Sequence, residues 1–86
     1  MKIKKNIAIS ESGFVFDPTT GESYSLNPIG KEILEMLKDE KSIDEIHQII
    51  TDQYEIDRGS FEKYFYDFTA TLKYFDLVEN NGENES

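Results

Sequence analysis

The hydrophobic pattern changes period once in the first half of the chain, and the whole domain is organised around that change. Tyr24 and Leu26 alternate with Ser23 and Ser25, a period of two that gives a strand with one apolar and one polar face. From Asn27 onward the apolar positions Ile29, Ile33, Met36 and Leu37 recur at helical spacing. Asn27 stands where an N-cap belongs and Pro28 occupies the first helical position. The stretch from Glu22 to Leu34 therefore reads as a strand running directly into a helix, with both elements facing one core.

Two earlier strands are predicted. Ile7 and Ile9 flank Ala8, and Phe14-Val15-Phe16 is β-branched and aromatic. Glu11-Ser12-Gly13 and Asp17-Pro18-Thr19-Thr20-Gly21 supply the turns between strands. Short connections imply an antiparallel meander whose middle strand is paired on both sides. The first and third strands are then its edges.

Three helices come next. The first is expected from Pro28 to about Lys38, and Gly30 in its first turn implies close approach of the sheet. Ser42, with Glu45 three residues on, forms a capping box for the second, whose stripe is Ile43, Ile46, Ile50 and Tyr54. Asp57 or Ser60 caps the third, which runs to about Phe75. Its core stripe is Phe61, Phe65, Phe68, Leu72 and Phe75. Tyr64 and Thr71 lie on one shoulder of that stripe, with Lys63 and Asp67 further round the same side. Leu77-Val78 is expected as a short closing strand, and Lys2 to Lys5 as a basic arm. The fold class is α+β: a three-stranded antiparallel sheet followed by three helices, winged helix-turn-helix-like.

Composition narrows the function. With 86 residues the chain suits one small domain with a thin core, which six Phe and five Tyr fill efficiently. Without Cys there is neither a disulfide nor a thiolate, and with His47 as the single His no zinc-type ligand set can be assembled. No Gly-x-Ser-x-Gly elbow, Walker loop, Gly-x-Gly-x-x-Gly or EF-hand pattern is present. The acids Asp39, Glu40, Asp44 and Glu45 read as helix caps and first-turn residues. No catalytic residue, metal site or cofactor is therefore expected. No stretch is apolar enough for a membrane span and no signal peptide is visible, so a cytoplasmic protein is expected. A net charge of −9, of which the tail's Glu83 and Glu85 are a minor part, repels phosphate. The third helix sets Lys63 and Lys73 against Glu62 and Asp67, which is not the basic recognition helix of a DNA binder.

Taken together, Gly13-Phe-Val-Phe-Asp-Pro, Tyr24-Ser-Leu-Asn-Pro-Ile-Gly, Ile33-Leu34, Ser42-Ile-Asp-Glu-Ile and Tyr54 resemble the PqqD family, the pyrroloquinoline quinone synthesis protein D group. The likeness extends over about Ile7 to Val78. It implies a PqqD-like peptide-binding domain over residues 1–79, with 80–86 a disordered acidic tail. It also implies a RiPP recognition element: a non-catalytic carrier that binds the leader of a ribosomally made precursor peptide. The carrier presents that leader to a modifying enzyme such as a radical SAM protein. The leader would add as a strand against the third strand and rest on the third helix. By position this assigns peptide binding to Ser23, Tyr24, Ser25 and Leu26, and to Lys63, Tyr64, Asp67 and Thr71. A winged-helix nucleic-acid binder and a homodimeric scaffold paired through the same edge are the competing readings.

Overall fold

In the computed structural model, which describes residues 1–79, three strands precede three helices. The acidic tail expected at 80–86 lies outside the described residues. The elements are β1 (Ala8–Ile9), β2 (Phe14–Asp17), β3 (Glu22–Ser25), α1 (Pro28–Lys38), α2 (Ile43–Tyr54) and α3 (Arg58–Tyr74). The sheet is antiparallel in the order β1-β2-β3, so β2 is central and β3 is an edge, as the turn chemistry implies.

The β2–β3 register pairs Phe14 with Ser25, Val15 with Tyr24, Phe16 with Ser23 and Asp17 with Glu22. Alternation then sends Val15, Asp17, Tyr24 and Glu22 to the helix side and Phe14, Phe16, Ser23 and Ser25 to the other. Val15 and Asp17 are buried, whereas Phe14 and Phe16 are exposed. Asp17 tolerates burial because its carboxylate accepts from Thr19 N–H at 2.9 Å, an Asx turn that shapes the β2–β3 connection. Gly13 has φ +97°, and a Cβ there would stand 2.8 Å from the Leu26 carbonyl. No other residue fits where β2 begins against the end of β3.

The joint between β3 and α1 is built as the sequence implies. Asn27 is the N-cap with Pro28 at the first position, and its Oδ1 accepts from Gly30 N–H at 2.8 Å. Gly30 is buried, but the close approach comes from α3 and not from the sheet. A Cβ on Gly30 would meet Phe68 Cε1 at 3.2 Å and the Tyr64 hydroxyl at 3.4 Å. The helix crosses α3 here at small-residue distance.

The capping box at α2 is complete, with Ser42 Oγ accepting from Glu45 N–H at 3.1 Å and Glu45 Oε1 from Ser42 N–H at 2.9 Å. Ile46 and Ile50 are fully buried, but Ile43 is not part of the stripe and stands 46% exposed. It is the first residue of the helix, one turn before the buried Ile46. Asp57, not Ser60, caps α3, accepting from Ser60 N–H at 3.1 Å. The core joins Ile7 and Val15 of the sheet region to Ile33, Leu34 and Leu37 of α1, Ile46 and Ile50 of α2, and Phe61 and Leu72 of α3.

At the end of α3, Asp76 adopts φ +61°, and Leu77 N–H donates back to the Leu72 carbonyl at 3.0 Å. This turns the chain so that Val78 pairs with Ile3 in an antiparallel bridge, flanked by Lys4 N–H to Leu77 C=O at 3.0 Å and Glu79 N–H to Lys2 C=O at 2.8 Å. The basic arm is thus a structural element, with Ile3 in the core. The closing strand joins the arm and leaves β3 alone.

Replacing Asn27 with Ala removes an N-cap and the acceptor of the Tyr64 hydroxyl. It should lower stability by about 2 kcal/mol in denaturant unfolding, whereas Asn27→Asp should largely retain it.

Candidate peptide-docking edge

Leu26 N–H donates to the Gly13 carbonyl at 2.8 Å. Along an antiparallel ladder, residues alternate between facing the partner strand and facing away. Tyr24, two residues earlier and opposite Val15, therefore also turns its backbone groups toward β2. Ser23 and Ser25 turn theirs outward. Among the described residues no strand pairs with this side of β3. The rim carries two N–H and two C=O groups in a spacing that a further strand can match.

Beneath the rim lies a groove of about 260 Å³ between β3 and α3. Tyr24, Ser25 and Leu26 line one side and Phe68, Thr71 and Phe75 the other, over a floor that includes Val15, Leu34 and Leu72. The two sides are tied at both ends. Tyr64 OH donates to Asn27 Oδ1 at 3.1 Å, and the Tyr24 ring lies 4.4 Å from Phe75. Tyr64 also stacks on Phe68, 6.1 Å between centroids and nearly parallel.

The sequence-derived residues divide accordingly. Tyr24, Ser25, Leu26 and Thr71 line the groove, Ser23 contributes the outward backbone, and Tyr64 forms the end near Asn27. Leu26 is half-buried on the groove wall. Lys63 and Asp67 are exposed and pair with each other across one helical turn at 3.2 Å, and neither lines the groove. Phe68 and Phe75, assigned from spacing to the core, are instead groove walls, Phe68 half-buried and Phe75 37% exposed. Their position with Tyr64 and Thr71 on a single helical face was the available signal. Thr69 is buried, and its hydroxyl donates to the Tyr66 carbonyl at 3.1 Å.

Burial pushes the Tyr24 phenol above its ordinary value. The hydrogen bond it donates to Glu22 at 3.2 Å and the negative charges of Glu22 and Asp17 act in the same direction. The Tyr54 phenol is raised mainly by its 2.7 Å hydrogen bond to Glu32, which ties α2 to α1. The His47 ring stands edge-on to Phe61 at 5.0 Å, and its Nε2 is buried without a hydrogen bond. Among the described residues no group of three or more His, Cys, Asp or Glu is placed to hold a metal, and no helix is long and apolar enough to cross a membrane.

Fold and edge together define a small α+β domain whose sheet is left open above an aromatic groove. Residues 13–74 match the family model described as Coenzyme PQQ synthesis protein D (PqqD), and the chain belongs to that family. Among solved structures it is similar to TbiB1 in complex with the TbiA(beta) leader peptide, at 27% identity and a TM-score of 0.81, covering 95% of this chain and 99% of that one. The lasso peptide synthetase B1 complexed with its leader peptide shares the fold, at 24% identity and a TM-score of 0.74, over 90% of this chain and 93% of that one. No curated protein matches the chain.

Because Tyr24 and Tyr54 have raised pKa values, the unfolded chain loses their protons first as pH climbs. The stability they contribute is fully present below pH 10 and declines above it. Tyr24→Phe should make alkaline unfolding shallower, as followed by circular dichroism across that range.

Proposed function

We propose that this protein is a RiPP recognition element, a non-catalytic carrier that binds the leader of a ribosomally made precursor peptide and presents it to a modifying enzyme. The observation that carries the reading is the unpaired outer edge of β3, with the backbone groups of Ser23 and Ser25 turned outward above the β3–α3 groove. A leader strand adding there gains main-chain hydrogen bonds from the rim, while every second side chain drops toward the groove. The similarity over nearly the full length to TbiB1, solved in complex with a leader peptide, supports leader binding.

Within this reading Ser23, Tyr24, Ser25 and Leu26 form the docking strand. Tyr64, Phe68, Thr71 and Phe75 form the helix side. Lys63 and Asp67 stand beyond the groove as flanking charges. The protein's contribution is delivery. It holds the substrate at high local concentration for an enzyme that supplies the chemistry.

The test is a titration with the synthetic leader of the precursor encoded beside this gene, followed by amide shifts in NMR spectra. Shifts should concentrate on residues 22–26 and on α3. Ser25→Pro removes one outward donor without touching the β2 ladder. It should weaken binding about tenfold, consistent with one lost hydrogen bond, and leave the melting temperature nearly unchanged. Ser25→Ala should bind as wild type. Shifts confined to other surfaces, or full affinity in Ser25→Pro, would count against the reading.

A further inference from the structure

We propose that the corner formed by Glu22, Tyr24, Phe75 and Tyr74 is a subsite for a cationic side chain, Lys or Arg, of the docked peptide; this rests on the leader-binding reading above. Leu26, Tyr24 and Glu22 share the helix-facing side of β3 by the two-residue period. The row runs from an apolar end, walled by Phe68 and Thr71, to an acidic one.

Three features at the acidic end favour a cation. The first is a run of ring faces and edges: Tyr24 lies 4.4 Å from Phe75, which lies 5.4 Å from Tyr74. Tyr74 is 83% exposed and Phe75 37%, so the run is open to a guest. Aromatic faces attract ammonium and guanidinium groups through their quadrupole. The second is the Glu22 carboxylate, whose Oε1 accepts from the Tyr24 hydroxyl. Its Oε2 makes no hydrogen bond or ion pair among the described residues, and the guest's charge can meet it there. The third is the carbonyl end of α3, where Tyr74 is the last helical residue and Phe75 the C-cap. That end carries partial negative charge.

The nearby cations do not already serve this role. Lys4 pairs with Asp76 at 3.1 Å. Lys73 follows Thr71 by two residues, which carries it round to the opposite side of the helix from the groove. A chain with net charge −9 reinforces the preference at longer range.

The subsite also fixes a pattern. Alternate residues of the guest strand face the groove, so the cation lies two residues (opposite Tyr24) or four (opposite Glu22) from the side chain beside Leu26 at the apolar end. Glu22 and Tyr74 are then specificity-determining residues, whereas Ser23 and Ser25 bind any sequence through the backbone.

The experiment is selection from a randomised peptide library displayed against the intact protein, in parallel with Glu22→Gln and Tyr74→Ala. Edge binding of the selected peptides is verified by amide shifts at Ser23 and Ser25. Wild type should enrich Lys or Arg at one position, two or four residues from an apolar one and never an odd number. Glu22→Gln should lose that enrichment and bind the wild-type-selected peptides about fivefold more weakly, with the gap shrinking in high salt. Both side chains are exposed, and unchanged melting curves would establish that the variants fold. Edge-bound peptides without a Lys or Arg excess, or an unchanged excess on Glu22→Gln, overturn the subsite and leave the carrier reading intact. Peptides selected only at other surfaces overturn both.

Discussion

The structure turns on the Asn27 side chain. Its Oδ1 accepts from Gly30 N–H and from the Tyr64 hydroxyl, so one oxygen begins α1 and ties α3 to the end of β3. Gly30 lets the two helices approach until a Cβ on α1 would stand only 3.2 Å from the Phe68 ring. Together these fix how far α3 stands from the sheet edge, and hence the width of the groove. At the other end, the Tyr24–Phe75 contact holds the same two elements at 4.4 Å between rings. A groove pinned at both ends is preorganised, and a guest strand need not spend binding energy to open it.

The open edge is a liability that the fold manages. Unpaired strand edges invite association between copies. Here the edge is short, and in a chain of net charge −9 copies repel one another. Among the described residues, the last stretch, which could otherwise seal the edge, is occupied elsewhere. Asp76 turns it back toward the arm, where Val78 pairs with Ile3. The N-terminal arm thereby contributes Ile3 to the core and holds residues 77–79 away from β3.

Much of this was legible in the residues. The period switch at Asn27-Pro28, the Ser42–Glu45 box and the turn chemistry around Gly13 and Gly21 each have a local cause, so the elements and the strand order can be read from short windows of sequence. Features that depend on distant partners could not. Gly30 signals close approach, but only the fold shows that the neighbour is α3. Phe68 and Phe75 have the spacing of core residues, and a half-open groove uses that same spacing. Ile43 has the helical period, yet at the first position of α2 it stays 46% exposed and outside the core. Lys63 and Asp67 lie beside the groove-lining face of α3 by helical angle, but they pair with each other one turn apart and neither lines the groove. The Ile3–Val78 bridge joins the two ends of the domain through a contact too brief to leave a pattern.

Strand addition requires that the backbone of Ser23 and Ser25 point outward and be free. Amide hydrogen exchange, read residue by residue with and without the cognate leader, tests this directly. In the free protein Tyr24 and Leu26 should be protected by β2 while Ser23 and Ser25 exchange quickly, and leader should slow Ser23 and Ser25 selectively. Slow exchange at Ser23 and Ser25 in the free protein, or no change on saturation with leader, would contradict it.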